Sequence, residues 1–170
     1  MEEKVLLNAT VSLLVKDNQV ILGIKQYKIG AGYRNGPGGG IEEGETITRS
    51  ALRELEEESG IVALPEHIEK VAIVDFHNTK TDGSFFVCRV HFFIVREWTG
   101  ELKDTKEMKD YLPFSTNNLP FDDMMPADRE YFKLILNDGK KIIAKAKYGP
   151  YQKELLEPVI IQEVDFFPED

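Results

Sequence analysis

Residues 29–44 carry seven glycines and one proline, a density that neither a helix nor a strand tolerates. The segment reads as a long loop, and long loops inside small domains tend to be functional. The stretch after it has the opposite character. Residues 46–59 place Ile47, Ala51 and Leu55 at a spacing of four, the apolar stripe of a helix, and Gly60 is placed to stop it. At about 100° per residue, Glu54, Glu57 and Glu58 fall within an arc of roughly 100° on one face of that helix. Carboxylates this crowded repel one another, so none ionises fully alone. A divalent cation removes the conflict, and Mg²⁺ takes hard oxygen ligands from a few carboxylates and substrate phosphates. A Glu-rich helix taken alone is usually a solvated face. The glycine loop ahead of it changes that reading. Gly36, Gly38, Gly39 and Gly40 let bare backbone approach a ligand, with a carbonyl for a metal and amides for a phosphate. Arg53, beside Glu54, is placed to pin a carboxylate by a charge-assisted hydrogen bond.

The remainder of the chain supplies a sheet. Residues 5–15 and 19–24 read as strands around the Asp17-Asn18 turn, and residues 71–79 and 84–97 as strands around Lys80-Thr81-Asp82-Gly83. Residues 108–114 admit a further short strand. A second helix opens at Pro126, carries Tyr131, Leu134 and Ile135 on one side, and ends at Asn137-Asp138-Gly139. Residues 141–148 and 158–165 read as closing strands. The order β-β-loop-α-β-β-α-β-β implies an α+β fold with a mixed sheet packed on helices. No linker divides it, so residues 1–170 are expected to form one domain.

Twenty-one Lys and Arg against thirty Asp and Glu give a net charge of −9. That argues against nonspecific binding to duplex nucleic acid. It leaves open a phosphate-bearing small molecule whose charge a metal offsets. The one cysteine, Cys88, cannot form an internal disulfide and sits in a strand-like apolar stretch, so it is expected to be a buried thiol in a reducing compartment. The first residues lack a signal-peptide core, and no apolar run approaches ~20 residues. A cytoplasmic protein without a membrane partner, monomeric or a small homo-oligomer, is expected.

Residues 39–61 resemble the Nudix box, Gly-x5-Glu-x7-Arg-Glu-aliphatic-x-Glu-Glu-x-Gly-aliphatic. Gly39, Glu45, Arg53, Glu54, Leu55, Glu57, Glu58, Gly60 and Ile61 occupy its fixed positions. At average residue usage, a chance match is on the order of one in a hundred million or rarer. The resemblance implies the Nudix fold, an α/β/α sandwich. It also implies a hydrolase of nucleoside diphosphates linked to another group, dependent on Mg²⁺ with Mn²⁺ as the alternative. It makes Glu54, Glu57 and Glu58 metal ligands, with the Gly38 carbonyl as another, and one of those carboxylates a general base. Arg53 becomes the orienting cation and Glu45 a structural partner at the loop-helix junction.

The likeness extends at lower density over most of the chain. Residues 29–39 and the Pro-Phe-Asp-Asp-Met-Met-Pro-Ala-Asp run at 120–128 resemble the oxidised purine nucleoside triphosphatases, MutT homologues that hydrolyse 8-oxo-dGTP to the monophosphate and pyrophosphate and so sanitise the nucleotide pool. By that resemblance Asn35 and Asp128 read the purine edge, Met125 contacts the base, Thr10 and Lys25 approach the pocket, and Glu107 has a metal role. Three positions depart from the family: Ala127 replaces the first acid of a pair, and Met125 and Ile29 replace pocket aromatics. The departures keep one alternative open, a Nudix hydrolase of a nucleotide sugar, a dinucleoside polyphosphate or, least favoured by the charge, a capped RNA. A second alternative, a nucleotide-binding regulator that does not hydrolyse its ligand, stands because a fold alone does not give a function, and the intact carboxylate set argues against it.

Overall fold

Asp17 and Asn18 both adopt left-handed backbone, with φ of 54° and 62°, which suits the tight turn of a two-residue hairpin. They join β1 (Val5–Lys16) to β2 (Gln19–Lys25) in the computed structural model, which describes residues 5–27 and 29–168. The strands pair only near the turn, from Lys16 opposite Gln19 to Leu14 opposite Ile21. Beyond that they part, and the glycine-rich segment enters the gap. A two-residue strand β3 (Arg34–Asn35) pairs with Ile24 and Gly23 of β2. The chain then crosses to β1, where Ser12 N–H donates to the Pro37 carbonyl (2.8 Å), Thr10 N–H to the Gly39 carbonyl (2.9 Å) and Ile41 N–H to the Asn8 carbonyl (3.0 Å). Residues 29–44 are thus not wholly loop as the glycine count suggests. Separating β1 from β2 leaves backbone groups that must be satisfied, and this segment satisfies them.

The fit there is close. A Cβ on Gly36 would lie 2.1 Å from the Ser12 carbonyl oxygen and one on Gly38 1.7 Å from that of Thr10, whereas one on Gly40 meets nothing within 4 Å. At Gly36 and Gly38 the missing side chain therefore serves approach to β1 rather than to a ligand.

The full sheet has eight strands in the order β3-β2-β1-β5-β4-β7-β8, with β6 also paired to β2. These are β4 (Ile68–Thr79), β5 (Phe85–Val95), β6 (Met108–Ser115), β7 (Lys141–Lys147) and β8 (Ile160–Val164). β1 runs parallel to β5 and β4 to β7, and the other pairs are antiparallel. The sheet is mixed, as expected. Helix α1 (Ile47–Ser59) has Thr46 as its N-cap, the hydroxyl accepting from Arg49 N–H at 3.2 Å, and closes on Gly60 at φ 81°. Helix α2 (Asp128–Leu136) starts two residues after Pro126, later than the proline position predicts. Asp128 N–H bonds back to Met125 O, a three-residue turn that places Pro126 before the helix. Adjacent residues of β1 point to opposite faces, so Leu14 packs with Leu55, Ile61 and Val95 beside α1, while Leu13 joins Phe92, Tyr131 and Phe132 beside α2. The sheet lies between the helices. Among the described residues no helix is long and apolar enough to cross a membrane.

The start of α2 is anchored by buried polar groups. Ala127 N–H donates to the Tyr148 hydroxyl (2.8 Å) and the Tyr131 hydroxyl to Asp128 Oδ1 (2.9 Å), while Asp128 Oδ2 is buried with no partner among the described residues. Burial pushes the Asp128 carboxyl up to about 7, against the opposing pull of the Tyr131 and Met125 hydrogen bonds.

Two expectations follow from this packing. Gly36→Ala should lower stability by about 3 kcal/mol and Gly40→Ala should change it by less than about 0.5 kcal/mol, as read by urea unfolding at pH 7. The Asp128 carboxyl is raised from about 4 in the unfolded chain. Its stabilising effect is therefore complete below about pH 4 and is lost as pH rises through about 7. A shift of that size is worth about 4 kcal/mol. Asp128→Asn should accordingly gain on the parent steadily between pH 4 and pH 8, and parallel unfolding curves for the two proteins would refute it.

Candidate active site

A cavity of about 370 Å³ opens where the glycine segment, α1 and one face of the sheet meet. Helix periodicity puts Glu54, Glu57 and Glu58 of α1 on it, joined by Glu107 from the stretch before β6. The backbone of Gly38 and Gly39 lines the same wall. The Gly38 N–H donates to Glu58 Oε2 at 2.9 Å, and a Cβ on Gly39 would lie 2.5 Å from the Glu54 carboxyl carbon. The glycine segment and the acidic face are therefore in direct contact.

Arg53 does not line the cavity but ties its wall together. Its Nε and Nη2 donate to the two Glu45 carboxylate oxygens at 2.7 and 2.9 Å, and Nη2 also reaches the Gly40 carbonyl at 3.1 Å. Nη1 donates to Glu54 Oε1 at 2.9 Å and to Glu57 Oε2 at 3.1 Å. The two-pronged contact exploits the guanidinium fork, which a lysine cannot reproduce. Hydrogen bonds from Arg53 hold the Glu45 carboxyl down at about 2, helped by the Glu42 backbone N–H, and the Glu45 contacts raise Arg53 further above its ordinary range. Gly60 ends the helix behind this network.

Glu58 sits differently. It is buried, and burial pushes its carboxyl up to about 7, with the Gly38 N–H opposing, the Glu54 charge adding and Lys25 opposing. Its backbone carbonyl accepts from Thr105 Oγ1 and from the Tyr111 hydroxyl, each at 3.1 Å. Glu107 accepts from the Tyr27 hydroxyl at 3.0 Å. Among the described residues, no three His, Cys, Asp or Glu side chains stand gathered at metal-binding distances. Arg53 accounts for this in part, since it draws Glu54 and Glu57 to itself. The donor type still fits a hard divalent cation: four carboxylates and glycine backbone share one cavity wall, and one of those carboxylates is partly destabilised by its acidic neighbours.

The remaining residues singled out from the sequence divide. Thr10, Lys25, Asn35 and Met125 line the cavity. Asn35 is buried, and its Oδ1 accepts from Gly36 N–H at 2.8 Å. Thr10 Oγ1 is buried with no partner among the described residues. Asp128 does not line the cavity; it lies fully buried at the start of α2. Cys88 is buried, as expected, and also faces the cavity, and burial pushes its thiol up to about 11. Sequence reasoning missed Tyr27, Thr105, Tyr111 and Asn78. The first three meet their carboxylate-bearing partners over long sequence separations and carry no local signal. Asn78 had one: a carboxamide on the apolar alternation of Val74 and Phe76.

Comparison with known proteins agrees with this geometry. A profile of the NUDIX domain matches residues 6–135. The chain is 34% identical over 158 residues to a mouse (Mus musculus) protein named oxidized purine nucleoside triphosphate hydrolase, covering 93% of this chain and 96% of that one. A zebrafish (Danio rerio) protein of the same name is 35% identical over 127 residues, 75% of this chain and 78% of its own. The crystal structure of a mutator MutT protein from Bacillus halodurans superposes with a TM-score of 0.76 at 26% identity, covering 92% of this chain and 97% of that one. With a box that meets its fold in the expected place and a domain match over most of its length, this chain belongs to the Nudix family of hydrolases.

Proposed function

We propose that the protein is a single-domain hydrolase of oxidised purine nucleoside triphosphates such as 8-oxo-dGTP, giving the monophosphate and pyrophosphate, with Mg²⁺ as the cofactor. One observation carries the reading: a single cavity joins an acidic, glycine-backed wall with an apolar sheet face, and Asn35 of β3 and Met125 of the loop before α2 line it as well. A triphosphate needs the first and a purine the second. The relatives named for oxidised purine nucleotides match nearly the whole chain in one case and three quarters in the other, which favours that substrate class over others in the family.

Nudix hydrolases generally need a divalent metal. Glu54, Glu57, Glu58 and Glu107, with the Gly38 carbonyl, are the residues that would hold it. Bound there, the cation would lower the pKa of the attacking water and offset charge on the phosphoryl oxygens. The chain's own residues supply the rest. Arg53 orients Glu54 and Glu57. A carboxylate of the set accepts the proton of the attacking water. Water adds across one phosphoanhydride bond, so the balanced products are monophosphate, pyrophosphate and a proton. Asn35 and Met125 seat the base, Met125 by soft contact with a ring. Closely held groups account for most of such catalysis through positioning and electrostatics.

The direct test is pyrophosphate release with Mg²⁺ from 8-oxo-dGTP, 2-hydroxy-dATP and dGTP, set against a nucleotide sugar and a dinucleoside polyphosphate. Faster turnover of the last two overturns the substrate assignment. The Glu57 side chain is 59% exposed, so Glu57→Gln should keep the fold and lose at least about a hundredfold in kcat; full activity in that variant would refute the placement of the metal. Arg53→Lys should raise the Mg²⁺ concentration needed for half-maximal rate by about 10–100-fold, because one ammonium cannot hold Glu45, Glu54 and Glu57 together.

A further inference from the structure

The floor of the cavity is one face of the sheet. On β4, Val74, Phe76 and Asn78 alternate onto that face, and the register sets Cys88 of β5 and Ala146 of β7 on either side of Phe76. The surroundings are apolar, yet Asn78 is fully buried among them and lines the cavity. Its Nδ2 donates to the Phe76 carbonyl two residues back, at 3.1 Å, and its Oδ1 is buried with no partner among the described residues. The bond to Phe76 fixes the sense of the carboxamide: the nitrogen is engaged, and the oxygen is an acceptor without a donor.

A buried acceptor with no donor destabilises a fold. Valine or leucine at this strand position would fill the space without that cost, so packing alone does not account for Asn78. Asn35 is fixed in the opposite sense. Its Oδ1 accepts from Gly36 N–H, which leaves its amide nitrogen to donate. Two buried carboxamides thus line one cavity, one presenting an acceptor and the other a donor. A purine edge carries the complementary set, N–H donors beside a ring nitrogen or carbonyl acceptor. Neither residue 127, an alanine, nor Asp128 lines the cavity to compete for those donors.

We infer that Asn78 is a specificity-determining residue, its Oδ1 accepting an N–H of the purine base while Asn35 Nδ2 donates to an acceptor on the same base. The inference rests on the nucleotide reading above and adds a contact to it. A site built to hydrogen-bond a substrate N–H discriminates strongly against an analogue that lacks it.

Binding of monophosphates tests this without turnover, so its outcome is separate from the pyrophosphate assay that tests the function. The probes are 8-oxo-dGMP, whose base carries N–H donors, and purine riboside monophosphate, whose base carries none, each titrated calorimetrically with Mg²⁺ present. The parent protein should bind 8-oxo-dGMP at least about tenfold more tightly than the donor-free analogue. Asn78→Leu should weaken 8-oxo-dGMP by about tenfold or more and leave the analogue within about twofold, with an unfolding temperature at or above the parent's. Asn78→Val, a good strand residue, gives the same reading should the leucine variant not fold. Equal weakening of both ligands, weakening of neither, or a parent protein that does not tell them apart would overturn the inference.

Discussion

The close approach of residues 36–41 to β1 governs the site. The peptide groups of Thr10 and Ser12 lie so near Gly38 and Gly36 that no side chain fits between them. This contact holds the glycine segment as a short added strand rather than a free loop, and so fixes where the chain stands when it reaches Thr46 and turns into α1. The acidic face of the helix is then presented to glycine backbone, Glu58 accepting from Gly38 N–H and Glu54 packed where a side chain on Gly39 would stand. A wider gap at β1 would move the backbone donors and the carboxylates apart together.

Charge in the cluster is balanced unevenly. Arg53 engages Glu45, Glu54 and Glu57. The two acids it does not hold rely on other partners, Glu58 on a backbone N–H and Glu107 on the Tyr27 hydroxyl. Glu45, bonded twice to the guanidinium, is held strongly acidic, while buried Glu58 is pushed toward neutrality. The loop-helix junction therefore carries a carboxylate already neutralised for a structural task, and the helix another that gains most from a cation. The guanidinium contributes rigidity on one side of the cluster, while on the other Glu58 and Glu107 face the cavity with Lys25 as the nearby cation.

What the sequence revealed of this arrangement follows from how local each signal is. The α1 stripe, the Gly60 stop and both hairpin turns depend on neighbours a few residues away, and they stand where the sequence places them. The Glu54, Glu57 and Glu58 face is equally local, since helix geometry alone brings the three together. The strand at Arg34–Asn35 was hidden because glycine content describes conformational freedom and not which strand edge awaits a partner. The start of α2 was displaced because Pro126 suits a turn before a helix as well as a first helical turn. Tyr27, Thr105 and Tyr111 were invisible for a different reason: each meets its partner across about fifty to eighty residues of chain, and no spacing rule spans that distance.

The sheet floor of the cavity shows how a family pattern can be altered without leaving the cavity apolar throughout. Ala127 is fully buried, donates its N–H to Tyr148 and offers no side-chain acceptor. Asp128 turns its carboxyl into the Tyr131 hydroxyl behind the cavity wall, where burial favours the protonated acid over a charge. A carboxylate there would lack a cation, and its low-dielectric surroundings penalise ionisation at the pH where a phosphate substrate binds. A neutral carboxamide on the sheet floor does not carry that penalty. Asn78 supplies an acceptor whose orientation is set by its own strand, so its hydrogen-bonding capacity stays constant with pH while that of Asp128 does not. On the proposed reading, fixed amides take the base and titratable carboxylates the phosphates, so the two tasks of the cavity differ in their response to pH.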